Sequence, residues 1–177
     1  MEEYVGEAFA ANEQRTIIGK RLNPGEAAPD FTLDYFDVSD LVSCTVHLAD
    51  SARMVRLLNV VNTLERPICQ RVTRQWEDFH SMMPPDSCIY TVSMDPPQVQ
   101  ARWQEIEGVL HQMLSAHRSD QFGQDYGVWL KRGRRLARAV FVLDRADRIA
   151  YAEYLTDQLR EPDYAAALQV VQQAALA

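Results

Sequence analysis

The sequence predicts an α/β fold: a mixed central sheet flanked by helices, preceded by an N-terminal hairpin. Two stretches carry most of that prediction. Residues 55–61 (VRLLNVV) form a short run rich in Val and Leu, as a buried strand requires, and Ile68, Val72, Trp76 and Phe79 then recur at helical spacing. Residues 88–93 (CIYTVS) return to a β-rich pattern, so strand, helix and strand form one βαβ unit, which should be parallel and right-handed. The third observation lies near the C-terminus. Residues 139–143 (AVFVL) are the clearest short strand, the turn 144–147 follows, and 149–155 is the returning strand.

The remaining elements follow in order. Residues 3–18 read as a small hairpin that turns at Asn12 and Glu13, with 16–18 its second strand. Residues 19–29 hold two prolines and two glycines and form a connector. Residues 31–36 alternate like a half-buried strand, 37–40 are turn-like, and 41–48 are a mixed segment with a short strand. The helix that starts at Pro67 or Ile68 ends before Pro84-Pro85. Residues 99–106 read as a helix with Val99, Trp103 and Ile106 on one face, 109–114 as a third strand, and 122–128 as a loop. Residues 131–135 (KRGRR) form a basic loop. Glu161-Pro162-Asp163 opens a terminal helix, since proline suits a first turn and acids suit a helix N-terminus; Ala167, Leu168, Val171 and Ala174 are its apolar face.

Length and charge narrow the classes. With 177 residues and 47% hydrophobic content, residues 1–177 are expected to form a single domain with a real core. A net charge of −7 argues against nucleic acid as a partner. No apolar run approaches the roughly 18 residues that cross a membrane. The acidic N-terminus lacks a basic-then-apolar signal pattern, so a cytoplasmic protein is expected. Cysteines 44, 69 and 88 form no CxxC, and Cys44 with His47 has no second ligand pair for zinc. No metal or cofactor is expected.

Cys69 is the residue that points to chemistry. It falls in the first turn of a helix that follows a buried strand, where unpaired N–H groups and the helix dipole favour a negative charge and hence a reactive thiolate. Arg66, Arg71 and Arg74 lie close in sequence. The competing reading is a buried, inert helical cysteine.

Several segments in register then resemble the thiol peroxidases, an atypical two-cysteine branch of the peroxiredoxins with a thioredoxin-like fold. They are APDFTL (28–33), LLNVVNTLERPICQRVTR (57–74), VSMDPPQVQARW (92–103), LSAHR (114–118), YGV (126–128), ARAVFVLD (137–144) and EPDYAAAL (161–168), covering about residues 14–174. The resemblance implies that Cys69 attacks hydroperoxides, that Arg118 stabilises its charge with Arg66 as a second cation, that Asn62, Thr63 and Pro67 line the substrate, and that the protein is a homodimer.

The departures matter equally. The family's active-site proline is Asn62, its threonine three residues before the cysteine is Arg66, and its resolving cysteine falls at Gln104, which cannot form a disulfide. Arg66 can donate hydrogen bonds but accept none. Cys88 begins the strand whose neighbour ends near Cys69, so the two thiols should lie roughly 17 Å apart, beyond the ~7 Å Cα spacing of a disulfide. The expected function is therefore a thiol peroxidase-like redoxin with one reactive cysteine, reduced by an external thioredoxin-like protein or small thiol. The alternative is a peroxidase-inactive redoxin fold used for binding a ligand or partner, or for another reaction in a specialised biosynthetic pathway.

Overall fold

The computed structural model describes residues 1–10 and 13–177, so the turn expected at Asn12 and Glu13 lies partly outside the described residues. The strands flanking it are β1 (Glu3–Ala10) and β2 (Glu13–Ile18), paired antiparallel. Next come β3 (Thr32–Asp37), β4 (Val42–His47), β5 (Val55–Val60), α1 (Pro67–His80), β6 (Ser87–Ser93), α2 (Pro97–Glu107) and β7 (Gln112–Ser115). The chain closes with α3 (Gln121–Asp125), β8 (Trp129–Leu130), β9 (Ala139–Leu143), β10 (Ile149–Tyr154) and α4 (Tyr164–Leu176).

Seven strands form the main sheet in the order β10-β9-β5-β6-β7-β3-β4, and β8 joins the N-terminal hairpin in a small sheet. The βαβ unit is parallel as expected: β5 pairs with β6, and β6 with β7. The other neighbours run antiparallel. β5 is buried along its whole length because both faces of the sheet are covered. Leu57 and Val61 pack with Ile68, Val72 and Trp76 of α1 and with Ala167 and Val171 of α4. Leu58 and Val60 face the opposite cluster, with Phe141, Leu114 and Leu136. Strand periodicity thus sends alternate residues of one run into two different cores.

Three expectations change. The apolar face assigned to α2 is turned outward: Val99 and Ile106 are exposed, and the helix seats through Pro97, Gln100 and Ala101. Gln100 fixes that choice by donating from Nε2 to Ser93 Oγ (2.9 Å) and to the Leu114 carbonyl (2.9 Å). A buried side-chain amide must find partners, and these lie on the sheet side. The third strand starts later than residue 109. Gly108 ends α2 in the left-handed conformation (φ 68°), and Val109 N–H closes onto the Gln104 carbonyl, so residues 108–111 complete the helix end. The 122–128 loop contains α3. Gly123 serves close packing there, since a Cβ would meet Leu136 and Trp129 side-chain atoms at 2.9 Å.

Candidate active site

Cys69 lies in the first turn of α1 and is fully buried. Pro67 occupies the first turn, where its missing N–H costs no helical bond and its fixed φ preorganises the start. Arg66 is the extended N-cap, and its side chain makes no capping hydrogen bond. The loop before it is held from below. Asp95 accepts from Thr63 Oγ1 (2.7 Å), from Leu64 N–H (2.9 Å) and from Ser93 Oγ (2.8 Å). Gln70 donates to the Leu64 carbonyl at 2.7 Å. Behind the cysteine, Thr73 Oγ1 donates to the Cys69 carbonyl at 2.8 Å. Asn59 donates to Thr73 and Thr91, and Thr91 meets His111 at 2.8 Å. His111 in turn contacts Glu77 at 2.6 Å, so a buried polar chain runs from Glu77 to the reactive turn.

A buried cation, Arg138, stands at the same end of the sheet as Cys69. Because β9 runs antiparallel to β5 with Val60 opposite Ala139, β9 enters the sheet where β5 leaves it. Arg138, one residue before β9, therefore stands at the point where the chain turns toward Cys69. It is buried, and its Nη1 donates to the carbonyls of Gln158 (3.0 Å) and Arg160 (2.6 Å). Its Nε has no hydrogen-bond partner among the described residues. Burial lowers the pKa of its guanidinium; Cys69 acts most strongly in the opposite direction, ahead of Tyr164 and Glu161. The same register brings Asn62 to residue 136: Nδ2 donates to the Leu136 carbonyl at 2.8 Å. A carbonyl can only accept, so this contact orients the amide and leaves Asn62 Oδ1 as a buried acceptor with no partner among the described residues.

Comparisons with known proteins identify the family. The Redoxin family model matches residues 23–168. A thiol peroxidase from Oceanobacillus iheyensis is 37% identical over 158 residues, 89% of this chain and 93% of that protein. The chain belongs to the redoxin family, in its thiol peroxidase branch. A Bacillus subtilis thiol peroxidase is 34% identical over 150 residues, 84% of this chain and 86% of that protein. Among solved structures, a peroxiredoxin-like protein from Aquifex aeolicus superposes with a TM-score of 0.83 at 25% identity, covering 97% of this chain and 99% of its own. A Chromobacterium violaceum thiol peroxidase shares the fold (TM-score 0.82, 20% identity, 98% of each chain).

In this redoxin the residues expected at the site divide into two groups. Cys69, Arg66, Pro67 and Asn62 are gathered around the start of α1. Thr63 is adjacent, but its hydroxyl proton is committed to Asp95. Arg118 stands elsewhere. It follows β7, two strands from β5, and pairs with Asp34 at 2.6 Å with its side chain 66% exposed. Sequence reasoning missed Arg138. The available signal was an arginine directly before a five-residue apolar strand that returns antiparallel to the strand ahead of the cysteine. Gln104 caps the end of α2, donating to the His111 carbonyl at 2.8 Å. Cys88 lies opposite Arg56 near the start of β5, at the far end from Cys69. Cys44 is on edge strand β4, four strands from β5 and so roughly 19 Å away laterally.

Proposed function

We propose that this chain is a one-cysteine thiol peroxidase. The observation that carries the reading is a fully buried cysteine in the first turn of α1, at the end of β5 where antiparallel β9 brings in the buried Arg138. The Cys69 thiolate attacks the terminal oxygen of a hydroperoxide; the S–O bond forms, the O–O bond breaks, and the leaving alkoxide or hydroxide takes a proton. Sulfur is oxidised to the sulfenic acid and the hydroperoxide is reduced to an alcohol or water. Arg138 Nε–H is the free donor for the charge that develops as the bond breaks. Asn62 Oδ1 takes over the acceptor role that Arg66 cannot fill, receiving the hydroperoxide O–H.

An external thiol completes the cycle. It condenses with the sulfenic acid, releasing water and leaving a mixed disulfide, and a second thiol equivalent releases Cys69 as the external disulfide forms. The positions of Gln104, Cys88 and Cys44 support an external reductant, a thioredoxin-like protein or a small thiol, because cross-linking needs Cα atoms within about 7 Å. A homodimer fits the exposed apolar residues Val99 and Ile106 of α2 and Leu110 just after it. No helix among the described residues is long and apolar enough to cross a membrane; a cytoplasmic location is part of the proposal.

The test is hydrogen peroxide consumption with excess dithiothreitol, comparing the native chain with Cys69→Ser, alongside trapping of sulfenic acid. Turnover that vanishes in the variant, with the trap on Cys69, is expected. An untrapped Cys69 and no turnover would overturn the reading. Light scattering at two concentrations, with Ile106→Lys, tests the dimer: a native dimer that becomes a monomer is expected.

A further inference from the structure

A cleft of about 630 Å³ opens beside the start of α1. Five of its lining side chains are cationic, Arg15, Arg66, Lys131, Arg132 and Arg135, against the single carboxylate of Glu13. The chain as a whole carries a net charge of −7, so this local excess opposes the global field. Three of the cations have carboxylate partners: Arg15 with Glu13, Lys131 with Glu3, and Arg135 with Glu65 at the longer distance of 3.5 Å. Arg66 and Arg132 make no ion pair among the described residues. Arg15 Nε is buried without a hydrogen-bond partner among them. The cleft thus combines a concave volume of small-molecule size, five cations against one lining carboxylate that Arg15 and Arg66 share, and an unmet buried donor on Arg15.

Its position connects it to the chemistry. Arg66 is the N-cap of α1, three residues before Cys69. Leu130 and Arg135, on the opposite wall, bracket the basic turn, and Leu136 immediately follows as the residue whose carbonyl holds Asn62. Arg66 therefore lines the cleft and caps the helix whose first turn holds the buried Cys69.

We propose that this cleft binds the anionic group of the substrate, and that the chain prefers hydroperoxides bearing a carboxylate over neutral ones of the same size. The proposal rests on the peroxidase reading for its reaction but not for its binding. Guanidinium groups hold a carboxylate by paired charge-assisted hydrogen bonds, which places its charge at Arg66 and Arg132 and leaves the hydroperoxide end directed to Cys69. Arg66 then has a use that a threonine at its position would lack: it anchors one end of the molecule and leaves the acceptor role to Asn62.

The test has two arms. In the first, kcat/KM is measured for a short-chain hydroperoxy carboxylate and for its methyl ester, which removes the charge and adds one methyl group. A preference for the carboxylate of about tenfold is expected, the effect of one charge-assisted hydrogen bond. It should shrink with added salt and fall at least about threefold in Arg132→Gln. Equal rates for acid and ester would overturn the proposal. In the second arm, hexanoate and neutral hexanamide are titrated into the Cys69→Ser chain and followed by amide chemical shifts. Hexanoate-specific shifts at Arg66 and Gly133, absent with hexanamide, support the cleft even if no hydroperoxide is turned over; no hexanoate-specific shift there overturns it. A failure of the peroxidase reading shows in the first arm alone.

Discussion

Replacing Arg138 by lysine keeps a positive charge and removes the fork. One guanidinium nitrogen of Arg138 already serves two carbonyls, at 3.0 and 2.6 Å, and Nε remains for the reacting group. A lysine ammonium is a single point on a flexible stem, so it cannot hold both carbonyls and also present a donor at a fixed angle. Losing one positioned donor from a buried site of developing charge costs about 10²–10³ in rate, roughly 3–4 kcal/mol of transition-state stabilisation. Arg138→Lys should therefore lower kcat/KM for hydrogen peroxide by about that factor, measured with saturating dithiothreitol. Melting should fall only modestly. Arg118→Ala is the companion measurement. Arg118 is largely exposed, tied to buried Asp34 and two strands from β5, so the variant's kcat/KM should stay within about twofold of the native chain. Activity of Arg138→Lys within about threefold of native, or an equal loss in Arg118→Ala, would refute the assignment of Arg138.

Three further outcomes follow from packing and hydrogen bonding. Asp95→Asn places an amide nitrogen opposite one or more of the donors that Thr63, Leu64 and Ser93 now direct at a carboxylate, and urea denaturation should show a loss of about 2–4 kcal/mol. Gly123→Ala drives a Cβ to 2.9 Å from Leu136 and Trp129, and a loss of about 1–3 kcal/mol is expected in the same assay. The third concerns pH. Burial lowers the His111 pKa from 6.5, with Glu77 acting the other way, so the unfolded chain binds that proton more readily than the folded one. For Glu77, burial works toward a higher pKa, but N–H groups of His111 and Leu110 and the His111 ring outweigh it and hold the carboxyl below 4.5. Both groups make stability fall with acidification, His111 below its ordinary value and Glu77 as pH drops through its folded value. The urea midpoint should decline from about pH 7 to about pH 5, and His111→Gln should flatten that decline. An unchanged slope in the variant would remove His111 as its source.

Much of the site was legible because its parts are local. Cys69 could be placed at a helix start from the spacing of Ile68, Val72 and Trp76 and from Pro67, all within fourteen residues of one helix. The ends of β5 and β6 could be placed as well, and with them the separation of Cys88 from Cys69. The α2 face was misread for an equally local reason. Val99, Trp103 and Ile106 have helical spacing, but the seat of that helix was decided by Gln100, whose two acceptors come from Ser93 and Leu114. Periodicity counts apolar residues and is blind to a buried amide that must be satisfied. The exchange of Arg118 for Arg138 has the same origin: both arginines flank strands, and only strand order shows which of them enters beside β5.

The sequence by itself determined the strands and helix of the parallel βαβ unit, the cysteine at the start of that helix and the lack of a thiol at position 104, because each depends on residues near one another along the chain. The tertiary structure alone decided what surrounds that cysteine. The antiparallel return of β9 brings Arg138 and the Leu136 carbonyl to the end of β5, and pairing of β2 with β8 draws Arg15 toward the 131–135 loop to form the basic cleft. Arg138 is 69 residues from Cys69, Leu136 is 74 from Asn62 and Lys131 is 116 from Arg15, and no pattern of local hydrophobicity encodes which strand lies beside which; hydrogen-bond register does.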